Sequence, residues 1–239
     1  MTKRLPPANE RSAIAGYQRI SLVDYPGQIA STLFFSGCNF RCDYCHNPEL
    51  VNGRSPPLSL AKIYAEIAAN KNIDGVCLSG GEPTIHVIEL KKVILKIKSF
   101  GLLVKLDTNG ARPDILKELA PYLDYVAMDI KTTQKKYHHL TKIKGIQNLI
   151  DQSMAFIMRQ NNFAYEFRTT LVPGYVERDN IRDIGKNIGH CQKWFLQIFR
   201  NQKTLGTINK KFSQEQVSEI FSLAKTIVPA CQLRGLSHQ

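Results

Sequence analysis

From residue 30 onward, short apolar or β-branched runs alternate with longer stretches whose apolar residues recur at helical spacing. The short runs predict strands over 31–36, 75–79, 102–107, 125–130, 165–171 and 194–200. The longer ones predict helices over 60–69, 85–100, 115–119, 146–160 and 180–188. Ser213 reads as the N-cap of a last helix reaching Ile227, because Gln216 stands three residues on and Val217, Ile220, Phe221 and Ala224 form one apolar stripe. A final strand is expected near 231–236. Six strand-then-helix steps predict an α/β fold with a parallel sheet; eight would close a barrel, so six predict a partial (β/α)6 barrel. Ahead of these strands, Asp24-Tyr25-Pro26-Gly27 has turn chemistry, so 16–36 reads as a hairpin leading into the barrel. Residues 1–15 are polar and charged and are expected to form a disordered tail, leaving 16–239 as a single domain.

At 239 residues and 43% hydrophobic, the chain can bury one large core, and no Pro/Gly/Ser-rich linker divides it. Its apolar runs are strand-sized, so neither a secretory signal nor a membrane anchor is expected. Six cysteines without a signal point to a reducing cytoplasm, where thiols serve metals or packing. The net charge of +12 raises nucleic acid as a partner. The cations are scattered, however: Lys91, Lys92, Lys96 and Lys98 on one helix, then Lys131, Lys135, Lys136, Lys142 and Lys144, then Lys210 and Lys211. That spread favours solvated helix faces over a nucleic-acid site and leaves docking onto an acidic protein, or contact with RNA, as the alternatives.

The unusual residues gather at the carboxyl ends of the predicted strands, where parallel α/β folds place their sites. The run Gly37-Cys38-Asn39-Phe40-Arg41-Cys42-Asp43-Tyr44-Cys45 follows the first strand and Gly80-Gly81-Glu82-Pro83 the second. Asp107-Thr108-Asn109-Gly110 ends the third, Asp129-Ile130-Lys131 the fourth, Arg168 lies near the end of the fifth, and Gln197 and Arg200 fall within the sixth.

Three thiolates on one short loop can hold three corners of an iron-sulfur cube, leaving one iron open to a small molecule. A closed zinc site wants four ligands; there is no second C-x2-C, and His46 beside Cys45 has little room to fold back onto the same metal. The Gly80-Gly81 turn lets backbone approach a ligand, with carbonyls and Glu82 accepting from an ammonium group; it lacks the Lys-Ser/Thr ending of a phosphate loop. Asp107, Thr108 and Asp129 read equally as ligands of a cation or ribose and as helix caps. Lys131 and Arg168 suit a ligand carboxylate, Arg168 through its planar fork. The Tyr44 ring is placed to cover an adenine or to pack the loop. Cys77, Cys191 and Cys231 have no partner spacing and read as core, and His138 and His139, on a lysine-rich helix, as surface.

The C-x3-C-x-aromatic-C loop of Cys38, Cys42, Tyr44 and Cys45, followed by Gly80-Gly81-Glu82-Pro83, resembles the radical SAM superfamily, and the likeness runs over about 16–234. The stretch from Gly16 through Asp24-Tyr25-Pro26-Gly27 to Cys42, then Tyr44-Cys45-His46-Asn47-Pro48-Glu49-Leu50, resembles the activating proteins of anaerobic ribonucleoside-triphosphate reductase. Asp107-Thr108-Asn109-Gly110 and Asp129-Ile130-Lys131 are similar to the pyruvate formate-lyase activating enzymes.

This resemblance implies a partial barrel of the radical SAM type and a 4Fe-4S cluster on Cys38, Cys42 and Cys45, whose open iron S-adenosylmethionine (SAM) chelates. One electron then cleaves SAM, and the resulting radical takes a hydrogen atom from a backbone glycine of a partner enzyme, here an anaerobic ribonucleotide reductase. It implies SAM contacts at Tyr44, Gly80, Gly81, Glu82, Pro83, Asp107, Asp129, Lys131 and Arg168. It also implies a monovalent cation held by Asp107, Thr108, Asp129 and the Met128 backbone, and a small electron donor such as flavodoxin or ferredoxin. No insert with extra clustered cysteines lies between Cys45 and Gly80, which favours the short single-cluster activators. The alternatives are a radical SAM enzyme acting on a small molecule, as deazapurine synthases do, or on RNA.

Overall fold

The computed structural model describes residues 12–200 and 203–235. Eight strands lie side by side in chain order: β1 (Ile14–Ser21), β2 (Ala30–Phe35), β3 (Gly75–Gly80), β4 (Leu103–Thr108), β5 (Tyr125–Asp129), β6 (Ala164–Leu171), β7 (Trp194–Ile198) and β8 (Cys231–Arg234). β1 runs antiparallel to β2, and every later pair is parallel. The sheet has two edges, at β1 and β8, and does not close. The expected hairpin, the six strand-to-helix steps and the final strand are therefore present. Residue 236 of the last strand's expected range lies outside the described residues.

The crossovers are α1 (Pro48–Val51) with α2 (Leu60–Ala69), α3 (Val87–Lys98), α4 (Pro113–Leu119), α5 (Gln134–Thr141) with α6 (Ile146–Met158), α7 (Arg178–Asn187) and α8 (Gln214–Ile227). Ser59 caps α2 by accepting from the Lys62 N–H, and Ile63 and Ile67 turn inward four residues apart. Ser213 and Gln216 form the expected reciprocal cap of α8, whose Val217, Ile220 and Ala224 are buried.

Three expected boundaries move for local reasons. The helix expected from residue 85 starts at Val87 because Pro83–Ile85 form a separate 3-10 turn. The helix expected from residue 180 starts at Arg178, since Asn180 reaches back to the Glu177 N–H and caps the chain earlier. The strand expected to reach residue 200 ends at Ile198, so Arg200 stands exposed beyond it. The domain also starts before the expected residue 16: β1 begins at Ile14, and Glu89 accepts hydrogen bonds from the Ser12 hydroxyl and the Ala13 N–H. The rest of the expected tail, 1–11, lies outside the described residues.

Strand alternation divides the interior in two. Outward residues such as Val76, Leu78, Val104, Leu106 and Val126 meet the helices and form the main core. Inward positions are smaller or polar, among them Cys77, Ser79, Lys105, Asp107, Glu166 and Arg168. At the amino end of the strands, Tyr25 of the hairpin turn packs edge-on against Tyr125, 5.7 Å between centroids, with Ala30 and Ala127. Asp24 anchors the turn by accepting from the Thr32 hydroxyl at 2.6 Å. The hairpin is thus the floor of the partial barrel.

Candidate active site

The cysteine loop leaves β2 at Phe35 and is held from several sides. The Gly37 N–H donates to Leu50 O at 2.6 Å, while the Leu205 and Gly206 N–H groups donate to the carbonyls of Cys45 and Asp43 at 2.9 and 2.7 Å. Phe40, 1% exposed, plugs into the core and anchors the loop. Its N–H points at Cys38 Sγ, 3.3 Å away, and the Asn109 amide bonds Asn39 Oδ1 at 2.8 Å. Tyr44 is buried and packs edge-on against Tyr175, 5.8 Å between centroids, whose hydroxyl bonds Asp43. Cys38, Cys42, Cys45 and Tyr44 line one cavity of about 310 Å³ together with Gly80, Gly81, Glu82, Asp107, Thr108, Asp129, Lys131 and Arg168. Without a bound metal, burial pushes the Cys38 thiol up to about 12, with Glu82 adding to the effect, and the Cys42 thiol to about 11. Cys77, Cys191 and Cys231 are buried as expected, and His138 and His139 are exposed.

The Gly80-Gly81 turn lines the cavity on one side and packs against backbone on the other. Gly80 has φ +117°, and a Cβ there would stand 2.4 Å from Phe35 N. A Cβ on Gly81 would stand 1.8 Å from Gly37 O. Two hydrogen bonds occupy this approach, from Gly81 N–H to Phe35 O at 2.8 Å and from Glu82 N–H to Gly37 O at 2.9 Å. The glycines therefore admit the start of the cysteine loop.

Glu82 also lines the cavity and is held by protein donors. Its carboxylate, 1% exposed, accepts from the Thr84 N–H and hydroxyl, the Thr108 hydroxyl and the Asn109 N–H. Burial raises its proton affinity while these four donors oppose it, and they leave little capacity for an ammonium group. Pro83 begins the buried 3-10 turn and is not part of the cavity wall.

The strand ends beyond carry a charged cluster. Asp107 accepts from Ser79 Oγ at 3.0 Å, from Arg168 Nη1 at 3.1 Å and from Lys105 Nζ. Asp129 accepts from Arg168 Nε at 2.8 Å and Lys131 Nζ at 3.0 Å. Burial works against the Asp129 charge, yet Arg168 and Lys131 overcome it and hold this carboxyl down at about 2. Asp107 is likewise lowered, against burial, by Arg168 and Lys105.

These bonds bear on the implied cation. The Thr108 hydroxyl donates to Glu82 and accepts from the Gly110 N–H, and the Met128 backbone lies in the ladder between β4 and β6. All four oxygens of Asp107 and Asp129 are thus already bonded to protein cations, and these carboxylates do not fit that ion. Among the described residues, no three His, Cys, Asp or Glu side chains converge on a point where one metal ion would sit.

The cluster and SAM fare better. Three soft, undisulfided thiols on one loop are the donor set of a cuboidal cluster with an open corner. The same cavity offers Lys131 and Arg168 to a carboxylate and has the volume of a small-molecule site. Sequence reasoning missed Lys105 and Ser79 and gave Asn109, within its strand-end motif, no role of its own. The period-2 alternation back from Asp107 was the available signal for Lys105.

The profile of the Radical SAM superfamily matches residues 32–184. A Methanocaldococcus jannaschii protein described as a glycyl-radical enzyme activating enzyme is 30% identical over 220 residues, 90% of this chain and 91% of that one. The pyruvate formate-lyase-activating enzyme of Clostridium pasteurianum is 29% identical over 209 residues, 82% and 84% of the two chains. In fold, the chain is similar to Streptococcus suis SuiB bound to S-adenosylmethionine, with a TM-score of 0.67 at 13% identity, covering 85% of this chain and 52% of SuiB.

Proposed function

The chain belongs to the radical SAM superfamily and, within it, to the glycyl-radical activating enzymes, and from this footing we propose that it generates a glycyl radical on an anaerobic ribonucleoside-triphosphate reductase. It is an enzyme that uses a 4Fe-4S cluster and SAM. Bound together, these supply one-electron cleavage of SAM and a radical that abstracts hydrogen.

In our reading, Cys38, Cys42 and Cys45 hold the cluster, Lys131 and Arg168 receive the SAM carboxylate, and Tyr44 walls the cavity beside the cluster. Phe40 and Tyr44 keep water from the loop. A flavodoxin or ferredoxin provides the electron, and its docking draws on the excess of positive charge. A reducing cytoplasm suits free thiols of this kind. No helix among the described residues is long and apolar enough to cross a membrane.

The observation that carries the choice of partner is the unity of one stretch. The Gly16-to-Leu50 run that resembles the reductase activators contains most of β1, the Tyr25 floor, β2 and the whole cysteine loop, so both ends of the barrel interior are shaped by it. The test incubates the reduced enzyme and SAM with the reductase of the same host. A glycine-centred doublet by electron paramagnetic resonance, lost when the reductase's radical glycine is changed to alanine, is the expected result. No doublet on any glycyl-radical enzyme, with SAM cleavage accelerated by a small molecule or RNA, would transfer the assignment to that substrate.

A further inference from the structure

Among the described residues, Lys105 is the one lysine or arginine that is fully buried, at 2% exposure. Burying an ammonium is costly unless its charge is matched, and an apolar side chain on β4 would pack without that cost. The match is Asp107. Lys105 Nζ bonds Asp107 Oδ1, lies 3.6 Å from Cys77 Sγ, and stands 5.9 Å from the centre of the Tyr125 ring, which together fix it under the cavity.

Every oxygen of the two strand-end carboxylates is bonded to a protein cation. Asp107 gives Oδ1 to Lys105 and Oδ2 to Arg168, while Asp129 gives Oδ1 to Arg168 and Oδ2 to Lys131. Arg168 spans both. The group holds three cations against two carboxylates and so carries one net positive charge with no added ion. One incoming carboxylate balances it.

We propose that Lys105 is a tethered monovalent cation: its ammonium takes the place of a free alkali ion, fixes Asp107 and through it Arg168, and lets the chain bind the SAM carboxylate without any such ion. Lys105 is a positioning residue, since it acts through Asp107 and does not line the cavity. The proposal rests on SAM being held at this rim. Removing the ammonium empties Oδ1 of Asp107, cancels the net charge of the group and opens a space beneath it that a small cation can enter.

The test measures SAM affinity of the cluster-loaded enzyme by calorimetry in choline, sodium, potassium, ammonium and methylammonium chlorides at equal ionic strength. The wild-type affinity should agree within about twofold across the salts, because its counter-charge is covalent. Lys105→Met, which keeps length and loses charge, should bind SAM roughly tenfold more weakly in choline chloride. Lys105→Ala should show the same loss, reversed by ammonium, methylammonium or potassium but not by choline.

A wild-type affinity that depends strongly on potassium or sodium would overturn the proposal. So would an unchanged affinity in Lys105→Met, or a loss in Lys105→Ala that no small cation restores, which would mark Lys105 as scaffold. Circular dichroism and cluster absorbance report whether the variants fold, and if neither does, the wild-type salt series decides alone. Failure of the wild-type chain to bind SAM in every salt would overturn the reading of the rim itself, and this proposal with it.

Discussion

A Cβ on Gly81 would lie 1.8 Å from the carbonyl oxygen of Gly37, and the neighbouring Glu82 N–H donates to that same oxygen at 2.9 Å. The turn after β3 and the first residue before the cluster cysteines are therefore one packed unit. Moving either moves the other.

Gly81→Ala should accordingly lose iron and SAM binding together. A contact of 1.8 Å with backbone cannot be relieved by a rotamer change, so the cysteine loop has to shift. Iron analysis and SAM titration on the same preparation check this. Full iron with selectively weak SAM binding would return the turn to the role of a ligand contact.

Cys38→Ser, Cys42→Ser and Cys45→Ser should each fail to hold the complement of about four irons per chain expected of a cube. Cys191→Ala and Cys231→Ala should keep it, since both thiols are buried away from the cavity. Iron and sulfide assays after anaerobic reconstitution distinguish the two groups. A full cluster in Cys42→Ser would remove the central assignment.

Glu82→Gln tests whether this side chain ties strands together or binds ligand. The Asn109 N–H donates to Oε2, while Thr84 and Thr108 donate to Oε1. An amide nitrogen in either place sets donor against donor, which should cost about 1–3 kcal/mol of unfolding free energy. Chemical denaturation measures it. A stable variant with weakened SAM binding would favour the ligand role.

The Asp129 carboxyl is held at about 2, below its ordinary 3.8, so the unfolded chain binds more protons than the folded one between these values. Its contribution to stability is complete above about pH 4 and is lost as pH falls through about 2. Denaturation midpoints should fall across that window in the wild type and less steeply in Asp129→Asn. Parallel slopes would show that the Arg168 and Lys131 pairs do not set the acid limit.

Much of this architecture is legible in residue order because period-2 and period-3.6 patterns switch cleanly, as at Val76-Cys77-Leu78 and Leu90-Val93-Ile94. What stays hidden is hidden for particular reasons. α5 reads as a lysine-rich helix around His138 and His139 but without bounds, because it buries only Tyr137, Leu140 and Thr141. Lys105 looks like a surface lysine until a partner carboxylate two residues along the same inward face is considered. The Gly80-Gly81 pair announces a close approach without saying to what, and the answer, the Gly37 carbonyl, lies more than forty residues earlier in the chain. The cysteine spacing needs no such context, because three ligands on one loop carry their own geometry.

The floor built by Tyr25 and the edges of β1 and β8, unpaired among the described residues, have a topological consequence for any macromolecular substrate. A complete ring of strands with one stopped end would admit a polypeptide only as a terminus or as a tightly doubled bight passed down through its mouth. An interrupted wall can receive a segment from the middle of a long chain laid in sideways, with the polymer continuing in both directions outside. A mid-chain glycine of the partner proposed above would be presented as such a segment and withdrawn without threading.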